Sequence, residues 1–304
     1  MIHLLRQTTT MSKIFKMLVA FLLFSFIIVT IFNRLVDERI AITRKTSPDM
    51  DALVEELKKE VEIDAEKKAE DEIACSIPGL QNFDQFYAAI TTLETRCNNS
   101  KPFGGPPKGT LDARKSVCLD ERFKISPNNC LVFSFGINND FSFEDDMAEF
   151  GCKVYAYDPT MDAKDHQRSP NVWFFATGIS NYQGLKSVGM DNHWINGKVD
   201  RFENLVKAVG MEGRTIDVVK LDVELAEVDF LQDMLFNSRH VLKNIKQIAM
   251  EIHSDLSKKN VAQITSHQVF WPYLHLMRCA GFKLIASRAG GIWREVVWAL
   301  EKEW

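Results

Sequence analysis

The sequence predicts an α/β domain in which a mostly parallel sheet is covered by helices on both faces and finishes in an antiparallel hairpin. Three observations carry this expectation. Short apolar runs alternate with stretches of helical periodicity, several runs end on a glycine or an acid, and the last two are separated only by the turn around Gly290-Gly291. Strands alternating with helices form parallel sheets, whereas two strands joined by a tight connection run antiparallel.

Before the alternation, 83–95 reads as a helix, and Lys101-Pro102-Phe103-Gly104-Gly105-Pro106-Pro107 reads as an irregular loop because Pro and Gly interrupt regular elements. The first strand is 130–135 (CLVFSF), ending at Gly136; a helix over 141–150 and a second strand over 153–157, ending at Asp158, complete a β-α-β unit. Further strands are expected at 172–176, 216–221 and 245–252, with helices at 202–209, 226–236 and 268–280. The chain closes with strands at 282–287 and 292–300. Crossover strands followed by a terminal hairpin suit the Rossmann-like seven-stranded sheet of S-adenosylmethionine-dependent methyltransferases, whose last strand is antiparallel.

The 304 residues are 46% hydrophobic and 26% charged, which excludes disorder or a small disulfide-stapled scaffold as a description of the whole. Lys and Arg total 37 against 41 Asp and Glu, so no cation excess is available for phosphates and no nucleic-acid partner is expected. A short tail, 1–13, precedes an apolar segment, 14–32, in which Lys16 can snorkel to headgroups. Asn33-Arg34-Leu35-Val36-Asp37 lacks a small-residue cleavage pattern, so the segment is read as an uncleaved transmembrane signal anchor, binding the chain to the membrane.

Basic residues flank the anchor on both sides, and the positive-inside rule does not decide orientation. The Asn98-Asn99-Ser100 glycosylation acceptor and an even count of six cysteines favour a luminal C-terminal domain, that is, a single-pass type II protein of the Golgi or ER. Cys75, Cys97 and Cys118 are placed for bridging, whereas Cys130 and Cys152 fall in strands where a thiol is ordinary core. The segment 33–74 reads as an acidic helical stem. Its 49–72 portion carries eleven acids and four lysines, and Met50, Leu53, Leu57 and Val61 fall at a spacing that suits a weak stem-mediated dimer. The remainder, 75–304 with its core at 118–304, is near neutral.

In a doubly wound sheet ligands bind at the carboxyl ends of the strands. At the first such end Gly136 lets the backbone approach a ligand, and the amides that follow, around Asn138, face that ligand at a helix N-terminus. At the second, Asp158 stands about twenty residues on, a spacing that suits an acid accepting from ribose hydroxyls; an Asx turn before Pro159 is the competing reading. The fourth strand emerges into Asp222 and Glu224, able to orient a substrate or accept its proton; Glu227 reads as a helix-dipole acid. The fifth ends in Glu251 and His253, whose i, i+2 spacing puts them on one face, and His253 is a candidate general base. Asp222, Glu251 and His253 match no established metal signature, and no metal is assigned.

The segments CLVFSFGINNDFSFEDDMAEFGCKVYAYDPTM, DVVKLDVELAEVDFL and IAMEIHSD resemble the methyltransferase-like protein 24 family, whose domain is similar to FkbM-type methyltransferases. The resemblance covers about 118–304 and implies a Rossmann-like fold, S-adenosylmethionine as small-molecule donor, and a membrane or secretory setting. It places Gly136 at the methionine end of the donor, Asp158 at the ribose, and Asp222 and Glu224 in the acidic motif. Related sequences usually carry Glu-Gly-x-Glu where this chain has Glu224-Leu225-Ala226-Glu227. The expected function is methyl transfer to an undefined acceptor, a sugar or glycan hydroxyl being favoured. The alternatives are a catalytically inactive binding protein of the same fold and, further off, a Golgi-type glycosyltransferase; with one glycine of three, a dinucleotide oxidoreductase is disfavoured.

Overall fold

In the computed structural model, which describes residues 75–190, 193–253, 266–290 and 293–304, the expected alternation is realised around a central mixed sheet. The expected anchor, stem and stem-mediated dimer contact lie outside the described residues. Among the described residues no helix is long and apolar enough to cross a membrane. Helix α1 (Phe83–Thr91) is capped by the Asn82 side chain, which accepts from the Gln85 amide at 2.9 Å, and it buries Phe83, Phe86 and Ile90 at helical spacing. The ribbon β1 (Ser100–Phe103) and β2 (Lys115–Cys118) follows, pairing antiparallel outside the main sheet.

Then come β3 (Cys130–Phe135), α2 (Ser142–Phe150), β4 (Cys152–Tyr157), β5 (His166–Ser169) and β6 (Val172–Phe175). A three-stranded sheet of β7 (Gly178–Ile179), β8 (Gly184–Met190) and β9 (His193–Asp200) is inserted before α3 (Phe202–Ala208) and β10 (Ile216–Leu221). The remaining elements are α4 (Ala226–Phe236), α5 (Arg239–Leu242), β11 (Ile245–Ile252), α6 (Ser266–Cys279), β12 (Phe282–Gly290) and β13 (Trp293–Leu300).

Among the described residues the sheet order is β12-β13-β11-β10-β3-β4-β6-β5, eight strands rather than the expected seven. The extra edge strand, β5, reads HQRS, is largely exposed and pairs antiparallel with β6; without an apolar face it leaves no pattern to detect. β13 pairs antiparallel with β11, and β12 with β13, as the terminal hairpin requires. β3, β10 and β11 are buried along their whole length because helices cover both faces. Phe133, Phe135 and Leu221 pack with α1, α3, α4 and α6 on one face, while Val132, Val154 and Val218 pack with α2 and the β1–β2 ribbon on the other.

All six cysteines are paired, as Cys75–Cys279, Cys97–Cys118 and Cys130–Cys152. This corrects the reading of Cys130 and Cys152 as plain core. Parallel register sets the two opposite each other at the starts of neighbouring strands, with their Cα atoms 4.5 Å apart.

Candidate functional site

The carboxyl ends of β3, β4 and β10 converge on a cleft of about 490 Å³, overhung by β8 and β9, which contribute Ser187, Val188 and Trp194 to its wall. Gly136, Asn138, Asp158, Asp222 and Glu224 all line it. Gly136 has φ +78°, and a Cβ there would stand 1.7 Å from the Asp222 carbonyl oxygen. The glycine is therefore required first by the close approach of the β10 end, not by a ligand.

The amides after it serve the protein as well. Asp158, 3% exposed, accepts at Oδ2 from the Ile137 and Asn138 amides (2.8 and 2.9 Å) and at Oδ1 from the Thr160 amide and hydroxyl (2.8 and 2.6 Å). A carboxylate has about four lone-pair directions, and these are filled. The expectation that the Asn138 amide is free for a ligand is corrected: it closes the turn onto Asp158, leaving the exposed Asn138 side chain at the cleft. The Asx turn and the acid at the cleft are thus both present in one residue.

The second cluster is built from charge. His253, at the end of β11, donates from Nδ1 to Glu227 at 2.7 Å, and its Nε2 lies 3.3 Å from Glu251, 3.6 Å from Glu224 and 3.7 Å from Asp222. Burial alone would lower the imidazole pKa, but the hydrogen bonds to Glu227 and Glu251 and the charges of Glu227 and Glu224 overrule it and raise it to about 11. An imidazolium at neutral pH has no lone pair to give, so His253 holds a proton rather than taking one, which corrects its reading as a general base. Burial pushes Glu251 up, but the His253 hydrogen bond and the Lys115 charge bring it down to about 2.

Glu224 is the exposed acid of the group, with 48% of its side chain accessible. Burial of the rest, with the charges of Glu227, Asp222 and Glu251, raises its pKa against the pull of His253. A carboxylate of raised pKa at the cleft is a better proton acceptor than an ordinary one. Asp222, Glu251 and His253 each offer a ligand atom within 4.8 Å of the others. Their Lys115 and acid partners already satisfy them.

One residue here was read too narrowly in the sequence and three escaped it. Glu227 is fully buried, caps the turn into α4 by accepting from the Val223 amide at 3.0 Å, and orients His253. Lys115 and Glu295 enter from β2 and β13, far away in sequence, and Trp194 comes from the inserted hairpin. The one available signal was period two in Lys115-Ser116-Val117, which places Lys115 on the same face as a buried valine. Asn98, the expected glycosylation acceptor, lies apart from the cleft and is exposed, its amide held by Asp120 at 2.9 Å.

A family model described as a methyltransferase domain matches residues 52–283. The curated human protein named "Probable methyltransferase-like protein 24" (Homo sapiens) is 30% identical over 175 residues, covering 56% of this chain and 46% of that protein. Its namesake from Rattus norvegicus is 30% identical over 142 residues, covering 45% and 38%. The chain thus spans less than half the length of these relatives. A solved 16S rRNA (adenine(1408)-N(1))-methyltransferase from Catenulisporales acidiphilia overlaps 62% of this chain and 95% of its own at 12% identity and a TM-score of 0.30, too slight a likeness to carry an argument.

Proposed function

We propose that this chain, which belongs to the methyltransferase-domain family, transfers a methyl group from S-adenosylmethionine to an acceptor hydroxyl, with a sugar or glycan as the favoured acceptor. The observation that carries this reading is the cleft at the strand ends, where an apolar wall of Ile137, Val188 and Val199 meets the carboxylates of Asp222 and Glu224. That chemistry suits the donor: an adenosine needs apolar cover, and a sulfonium cation is favoured beside acids. The donor supplies an electrophilic methyl carbon. The chain's residues align the acceptor, and alignment can lower a barrier by about 7–11 kcal/mol. Glu224, exposed and of raised pKa, is the residue placed to receive the hydroxyl proton. Exposed Trp194 offers a flat apolar face on which a sugar ring can lie.

Asp158 keeps its ribose role in this reading by exchange. The hydroxyl of exposed Thr160 is one of its four donors, and a ribose hydroxyl can replace it. The paired cysteines and exposed Asn98 support an oxidising secretory compartment, with the apolar segment 14–32 as the anchor. A second reading, a catalytically inactive domain of the same fold, is favoured by the saturation of Asp158 and by Leu225 at the cleft.

Calorimetric titration of the full chain, purified in mild detergent, separates the two. Micromolar binding of S-adenosylmethionine and S-adenosylhomocysteine, weakened at least tenfold in a folded Asp158→Asn variant, is the expected result. No binding by a folded wild type removes the enzymatic reading and leaves the inactive one.

A further inference from the structure

We propose that Lys115 is a resident cation of the acid cluster, standing where a divalent metal would otherwise be needed and fixing the strand-end carboxylates in position. Its side chain is 1% exposed, and Nζ contacts four oxygens: Glu251 Oε1 at 2.7 Å, the Asp112 carbonyl at 2.8 Å, and Asp222 Oδ2 and Glu295 Oε1, each at 3.1 Å. Three carboxylates and a carbonyl around one point are the donor set of a hard divalent cation. Here an ammonium fills it at hydrogen-bond distances.

The sheet register shows what a cation relieves there. Glu251 on β11 and Glu295 on β13 are direct antiparallel partners, and both are buried. Like charges facing each other across a ladder repel, and the repulsion grows out of water. Arg288 reaches Glu295 from β12 but is 37% exposed, and among the described residues Lys115 alone touches both members of the pair.

The fold holds this lysine from a distance. β2 runs beside β11, with the Cys118 amide donating to the Gln247 side chain at 2.9 Å and that side chain donating back to the Cys118 carbonyl at 2.7 Å. The Cys97–Cys118 disulfide ties down the same end of the strand. Lys115 takes Asp222 Oδ2, which leaves Oδ1 on the side of His253. Presentation of that oxygen to an acceptor rests on the methyl-transfer reading, whereas occupation of the cation position does not.

Manganese binding to the full chain, followed by loss of the free-ion signal in electron paramagnetic resonance, tests the proposal without donor or acceptor. Wild type and Lys115→Arg should leave submillimolar Mn²⁺ free. Lys115→Ala should take up one ion per chain at least tenfold more tightly, and adding Glu251→Gln should abolish the uptake. The His253 ring resonances should shift in Lys115→Ala and return toward wild type when Mg²⁺ is added, a rescue that loss of packing alone does not produce. Should Lys115→Ala fail to fold, Lys115→Met combined with Glu295→Gln removes one charge of each sign and leaves the remaining oxygens for the same titration. Uptake by wild type equal to that of the variants, or no uptake by a folded variant, overturns the proposal.

Discussion

Two halves of one cleft are held together by opposite means. On the Asp158 side a single carboxylate satisfies donors from Ile137, Asn138 and Thr160, all within about twenty residues along the chain. On the Asp222 side five carboxylates, from Asp222, Glu224, Glu227, Glu251 and Glu295, surround Lys115 and His253, and the partners come from β2, α4, β11, β13 and the segments that follow β10 and β11. The first half is a turn that closes on itself and has little capacity left over. The second gathers acid charge that only the completed fold assembles, and its partners arrive from distant parts of the chain.

The boundary between the halves is the point most sensitive to change. Gly136 touches the Asp222 carbonyl with no room for a Cβ and has φ +78°, so Gly136→Ala must move the β10 end and also strain the turn. A loss of more than about 4 kcal/mol is expected, enough to prevent accumulation of folded protein. Chemical unfolding or the yield of disulfide-intact chain measures it. A variant of near wild-type stability would show that the halves are not coupled through this contact.

The contrast also decides what could be read in the sequence. The strands β3, β10 and β11 were legible because burial on both faces makes them continuous apolar runs, and Asp158 and Asp222 were legible because each ends such a run. Edge strand β5 and the inserted β8–β9 hairpin were not, because they have no continuous apolar run to mark them. Lys115 meets Glu251 and Glu295 across 136 and 180 residues of chain, distances over which no local spacing signals a partner. Glu227 was legible as a first-turn acid, but its burial against His253 depends on β11 arriving beside α4. Its side chain therefore does more than the helix dipole required.

Charge on the second half predicts a pH dependence. His253 has a folded pKa of about 11 against an ordinary 6.5, so its stabilisation is complete below pH 6.5 and is lost as pH rises toward 11. Between pH 7 and 10 the unfolded chain has released this proton while the folded chain retains it. The stability difference between wild type and His253→Gln should therefore shrink by about 1.4 kcal/mol per pH unit over that range. Unfolding curves at unit steps of pH measure this, and parallel pH profiles for the two proteins would remove the imidazolium from the cluster.

The smallest effect lies where the acidic half opens to solvent. Leu225 caps α4 at φ +76°, next to Glu224 at φ +50°, and its side chain is 51% exposed at the cleft. Glycine is the residue for which that conformation costs nothing. A left-handed leucine costs about 1–2 kcal/mol, whereas glycine gives back roughly 0.4–1 kcal/mol through the freedom of the unfolded chain. Leu225→Gly should therefore stand within about 1 kcal/mol of wild type. Leu225→Ala keeps the strain and loses the side chain, so it should melt about 2–4 °C below the glycine variant. Scanning calorimetry of the three proteins decides it. Equal melting of Leu225→Ala and Leu225→Gly would mean that the turn relaxes out of the left-handed region, and the leucine would then owe its place to contact within the cleft and not to the geometry of the turn.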